Sequence, residues 1–151
     1  MHDSPVLICY DGSEDARRAI KAAAALFGAR DAVVVDIGPP LTAAESVAAL
    51  SSVVPGNAFE DLNTADALDR ARAGAEVARE AGFTAEARAE LAAPTWEGIL
   101  DVAETIDAEV IVVGTRGLSG ARELFEGSVS HQLAEHSTRP VLMVPPANGR
   151  R

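Results

Sequence analysis

The chain is 151 residues long, 48% apolar but only 4% aromatic, and carries a formal charge of −10. That length suits one domain with a proper core, which must be built from Ala, Val, Leu and Ile. The acidic balance argues against general affinity for nucleic acid or acidic membrane, and the absence of a leader pattern or an 18-residue apolar run reads as soluble and cytoplasmic.

Pro5-Val-Leu-Ile-Cys-Tyr10 is the first predicted strand, apolar throughout and so central in a parallel sheet. Cys9, the only cysteine, excludes an intrachain disulfide or a cysteine zinc cluster and is expected to be a buried, inert thiol. Asp11-Gly12-Ser13 turns the chain, with Ser13 as helix N-cap and Glu14 and Asp15 in the first turn. Ala16, Ala19, Ile20, Ala23, Ala24 and Phe27 follow at helical spacing, and Gly28 closes the helix. Ala32-Val-Val-Val-Asp-Ile37 is the second strand, cut off by Gly38-Pro39-Pro40. Thr42 and Glu45 form a capping box that starts a short helix. The segment 42–57 reads equally as a lid over a ligand or as a surface excursion.

A second long helix is predicted over 60–81, closed by Gly82. The alternation of small and charged residues over 83–91 suits a half-exposed edge strand. Pro94-Thr95-Trp96 opens a third helix carrying Ile99, Val102, Ala103 and Ile106, with Trp96 as a packing residue. Val110-Ile-Val-Val113 is a strand buried on both faces, and it breaks at Gly114. A loop with Gly117 and Gly120 leads to Gly127-Ser128, where a last helix starts and runs to about residue 136. His131 and His136 on that helix do not share a face as a metal pair would and read as surface residues. Pro140-Val141-Leu142-Met143-Val144 is the final strand, so 1–147 form one domain and 148–151 a tail.

Strands alternating with helices imply a doubly wound α/β domain: a parallel sheet with helices on both faces. Ligands in such folds bind beyond the carboxyl ends of strands, where the strand order reverses. Two loops suit that place: 11–13, and the glycine loop 114–128. A strand feeding a glycine-rich loop and then a helix N-terminus is a ready anion site, because first-turn N–H groups lack intrahelical partners. The sole lysine, Lys21, excludes a phosphate loop ending in Gly-Lys-Ser/Thr. No Gly-x-Ser-x-Gly elbow and no convincing general base occurs.

Gly114, Gly117, Gly127 and Ser128 fall in the spacing Gly-x2-Gly-x9-Gly-Ser. Together with Asp11 after the first strand and the apolar last strand, they make nearly the whole chain resemble the ATP-binding subgroup of the universal stress protein family. The resemblance implies a five-stranded sheet in the order 3-2-1-4-5, with the reversal between strands one and four. It implies that Asp11 and Ile37 hold the adenosine part and that Val113 and Gly114 flank the nucleoside. Gly117, Gly127, Ser128, Val129 and Ser130 would receive the phosphates of ATP, whose charge bound Mg²⁺ would offset. Arg116 and Arg122 read either as charge-assisted phosphate contacts or as solvated arginines. Many relatives carry a glycine two residues before the proline of helix three, where this chain has Ala92, a change that would tighten the pocket rim.

The expected function is an adenine-nucleotide-dependent binding switch with at most slow hydrolysis, so its standing as an enzyme is open. Competing readings are an interaction module that binds no nucleotide and, ranked last, a nucleotide hydrolase. Val141, Leu142, Met143 and Val144 form an apolar edge in the implied order, which invites a homodimer; a covered edge inside a monomer is the alternative. A further protein partner is expected but not identified.

Overall fold

The apolar, β-branched runs become parallel strands because residues apolar on both sides are stable only where helices cover both faces. The computed structural model describes residues 4–41, 43–51, 56–115 and 128–147. In chain order its elements are β1 (Val6–Cys9), α1 (Glu14–Phe27), β2 (Asp31–Gly38), α2 (Ala43–Leu50), α3 (Gly56–Glu80), β3 (Thr84–Leu91), α4 (Thr95–Thr105), β4 (Val110–Gly114), α5 (Val129–His136) and β5 (Val141–Val144). The sheet runs β3-β2-β1-β4-β5 and every pairing is parallel. This is the implied order, and the reversal lies between β1 and β4.

Strand alternation divides the core into two layers. Val6, Ile8, Ala32 and Val34 pack with α1 and α3, while Leu7, Val35, Ile111 and Val113 pack with α4 and α5. β1 contributes to both layers with Val6, Leu7 and Ile8 wholly buried, as its unbroken apolar run required. β3 lies at one edge, in keeping with its alternating sequence, and Arg79 covers its outward side by donating to the Ala85 carbonyl at 3.0 and 2.7 Å.

α3 begins at Gly56, a turn earlier than its apolar spacing suggested, and lies close to the sheet on the buried stripe Ala67, Ala71, Ala75 and Ala78. At Gly74 not even a methyl group fits: a Cβ there would lie 2.6 Å from the Tyr10 ring and 2.8 Å from Val34. Helix propensity favours alanine over glycine by about 1 kcal/mol, but overpacking costs about 1–3 kcal/mol. Gly74→Ala should therefore destabilise the fold by about 1 kcal/mol, read as a lowered urea midpoint.

Polar contacts tie the sheet together at the amino ends of its strands. Arg30, just before β2, donates to the Ser4 carbonyl at 2.9 Å and pairs with Glu109, which precedes β4. Arg139, just before β5, reaches Asp107 at 3.0 Å, Glu104 at 3.2 Å and the Ala108 carbonyl at 2.5 Å.

Candidate functional site at the carboxyl ends of the strands

The site begins with the turn after β1. Gly12 takes φ +86°, a left-handed conformation that glycine adopts without strain, and Asp11 Oδ1 accepts the Ser13 N–H at 2.9 Å. Ser13 then caps α1, its Oγ accepting the Ala16 N–H at 3.1 Å. With Asp11 ahead of it and Glu14 and Asp15 in its first turn, the positive end of α1 is already matched by carboxylates.

The end of β2 contributes its backbone. The Val35 carbonyl accepts the Tyr10 N–H at 2.9 Å, and the Gly38 carbonyl accepts the Ala92 N–H at 3.1 Å. Backbone groups alternate sides along a strand, so Ile37 turns its N–H and C=O toward the β1 side. It does so two residues beyond the last β1 pairing, Cys9 with Val35. Its side chain packs on the α4 layer.

β4 ends in buried Val113 and in Gly114, which lies tightly against the start of α1. A Cβ at Gly114 would sit 3.1 Å from the Asp15 carbonyl oxygen. α5 begins at the same end of the sheet. Ser128 is its N-cap, with Oγ accepting the His131 N–H at 3.2 Å and lying 3.3 Å from the Oγ of buried Ser130. Val129 faces the α4 layer. The first turn of α5 holds no acidic residue. The helices that follow the two strands flanking the reversal thus differ in their first turns: that of α1 carries Glu14 and Asp15, and that of α5 carries no acid.

One charged group here was not picked out by the sequence reading. Asp36 is buried on the α1/α3 side of β2 and pairs with Arg70 of α3. Burial raises its carboxyl above the ordinary aspartate range, which Arg70 only partly offsets, and Asp11 adds repulsion. It is the one charge in the apolar run 32–37, the only local hint of such a pair. A raised native pKa favours the protonated form, so this contribution is full below the unfolded aspartate value of about 4 and is lost as pH rises through the native value. Asp36→Asn should therefore gain stability relative to the unchanged protein as pH rises from about 4 to 7, measured as the difference in urea midpoints. Cys9 is partly exposed rather than wholly buried, yet burial of its thiol, with repulsion from Asp11 and Asp36, pushes it up to about 12. It stays protonated and inert.

Of the residues singled out in the sequence, Asp11, Ile37, Val113, Gly114, Ser128, Val129 and Ser130 all gather at the carboxyl end of the sheet. Arg116, Gly117, Gly120, Arg122 and Gly127 lie outside the described residues, as do Thr42 of the expected capping box, 52–55 of the segment after β2 and the tail 148–151. His131 faces Glu135 at 3.7 Å. His136 stacks on Trp96 with centroids 4.6 Å apart, so the packing role of Trp96 includes a partner from another helix. Among the described residues no cluster of three His, Cys, Asp or Glu could hold a metal, and no helix is long and apolar enough to cross a membrane.

The model of the universal stress protein family matches residues 4–145. The chain belongs to the universal stress protein family. It is 31% identical over 144 residues to universal stress protein YxiE of Bacillus subtilis, an alignment covering 92% of this chain and 97% of that one. Among solved structures it is similar to hypothetical protein MJ0577, with a TM-score of 0.76 at 20% identity, covering 97% and 98% of the two chains. It is also similar to the universal stress protein of Archaeoglobus fulgidus in complex with dAMP, with a TM-score of 0.61 at 19% identity over 95% and 98% of the chains. At these identities the solved structures establish the shared fold, and the sheet order of this universal stress protein is part of it.

Proposed function

We propose that this universal stress protein binds an adenine nucleotide, ATP with Mg²⁺ foremost, between the ends of β1, β2 and β4 and the start of α5. The observation that carries the reading is the difference in charge between the first turns of α1 and α5, the helices that follow the two strands flanking the reversal. α1 is occupied by Asp11, Glu14 and Asp15 and would repel phosphate, whereas α5 offers N–H groups with Ser128 and Ser130 and no acid in its first turn. The adenosine part belongs on the acidic side, with the Asp11 carboxylate accepting from ribose hydroxyls and the Ile37 backbone meeting the base. Val113 and Gly114 flank the nucleoside, and the phosphates run toward Ser128, Val129 and Ser130. Arg116, Gly117 and Gly127 would complete that cradle from outside the described residues. The bound dAMP of the Archaeoglobus fulgidus relative supports the choice of ligand class. The sequence offers no convincing general base and no phosphate-loop lysine, so we read the output as a bound state rather than fast turnover.

Small molecules released from the purified, denatured protein should include an adenine nucleotide by mass spectrometry, and ATP-Mg²⁺ should raise the melting temperature. An empty protein with no thermal shift would instead favour a nucleotide-free interaction module. We also propose that β5 pairs two copies: it is an edge strand and exposes Met143. Met143→Glu should then shift sedimentation from dimer toward monomer; a monomeric parent protein at micromolar concentration would remove this assembly.

A further inference from the structure

The carboxyl end of β2 is packed closely against the helices on both of its faces. Gly98, in the second turn of α4, is buried, and a Cβ built on it would lie 2.6 Å from the Ala92 Cβ. It would also lie 3.2 Å from Ile37 Cγ2 and 3.4 Å from Ile37 Cδ1. One methyl fits in that space, and Ala92 already supplies it. Glycine is a poor helix former, and nothing in the helix itself calls for one at this position. Close approach of three elements does: α4, the end of β2 and the end of β3. The opposite face of β2 is close-packed too, though less tightly. A Cβ on Gly38 would lie 3.0 Å from Leu91, 3.2 Å from the Asn63 carbonyl and 3.4 Å from Ala67. The segment Ile37-Gly38 is therefore clamped between α4 and α3, with the Ala92 N–H bonded to the Gly38 carbonyl at 3.1 Å.

We infer that Gly98 and Ala92 form a complementary pair of positioning residues that fix Ile37, and through its backbone set the grip of the site on the nucleoside base. This rests on the adenine-nucleotide reading above and deepens it. Neither residue touches the ligand. Their effect passes through the Ile37 side chain, whose displacement by a few tenths of an ångström moves the N–H and C=O that meet the base. Sites lose affinity when a supporting shell is loosened on that scale. With glycine at 92, a methyl at 98 loses the 2.6 Å collision and can move into the vacated space, which relieves its 3.2 Å contact with Ile37.

The test measures ATP and inorganic tripolyphosphate affinity of the full chain by calorimetry, well below the melting temperature, for Gly98→Ala and for Gly98→Ala/Ala92→Gly. Gly98→Ala should weaken ATP about tenfold while leaving tripolyphosphate unchanged, because only the base end is disturbed. The double variant, which moves the methyl across the contact, should recover ATP binding to within about threefold of the parent. A general loss of structure would instead weaken both ligands together. Because Gly98→Ala alone could fold poorly, the double variant and the unliganded Ile37 amide and methyl resonances, shifted in the single variant and restored in the double, provide a second readout. Unchanged ATP affinity in folded Gly98→Ala, or no recovery in a folded double variant, overturns the positioning role while leaving nucleotide binding intact. A parent protein that binds no ATP overturns the nucleotide reading and this inference with it.

Discussion

Ser128→Asp should abolish ATP binding, weakening it by at least about a hundredfold, without loss of the fold. The two effects separate because they draw on the same helix end in opposite ways. Aspartate is as good an N-cap as serine, and its charge interacts favourably with the helix dipole, so α5 should be as stable as before or slightly more so. The same carboxylate would occupy the place where the phosphates are proposed to lie. Two unit charges about 4 Å apart near a protein surface repel by about 4 kcal/mol, and screening by Mg²⁺ and salt still leaves a large penalty. The check is calorimetric titration with ATP-Mg²⁺ beside a urea melt. A folded Ser128→Asp protein that binds ATP as the parent does would place the phosphates elsewhere. Ser128→Ala should be milder, costing the cap about 1 kcal/mol and one hydroxyl contact.

Leu133→Ala should cost about 3 kcal/mol and loosen α5 from the sheet. The helix has eight residues, too few to persist alone, so its stability comes from what it buries. Only Ser130 and Leu133 are buried among those eight, and Leu133 is wholly inaccessible within the α4/α5 layer. Truncating it removes most of the apolar anchorage and leaves a cavity in the core layer that also holds Ile111 and Val113. The urea midpoint should fall with little change in slope, and ATP affinity should fall with it because the N–H groups of the first turn lose their fixed position. A loss below about 1 kcal/mol would show that α5 is held by contacts other than its apolar face.

Those two variants act on features the sequence already marks: a serine at a helix start and a leucine at helical spacing. The Gly98–Ala92 contact and the Asp36–Arg70 pair are different in kind. Position 92 could be flagged as a departure from what many relatives carry, but nothing in the sequence says that its methyl fills the space a side chain at 98 would need. Asp36 could be noticed as a lone charge in an apolar strand, whereas Arg70 shares a long helix with Arg72 and Arg79, each of which pairs with an acid of that helix.

The sequence alone determines the succession of strands and helices, the cap at Ser13, the start of a helix near Ser128, the edge character of β3 and the glycine spacing after β4. Each is written in neighbours a few residues apart, where propensity, period and capping act. The strand order was legible only through the family resemblance, and the structure confirms it. The tertiary structure alone decides that Tyr10 lies across Gly74, that His136 stacks on Trp96, that Arg70 answers Asp36, and that Gly98 leaves room for Ala92 against Ile37. Periodicity says which face of an element is buried; it does not say which residue of another element will meet that face. That is settled by the register of the strands and the distance at which helices pack, and at close approach a single methyl group decides what fits.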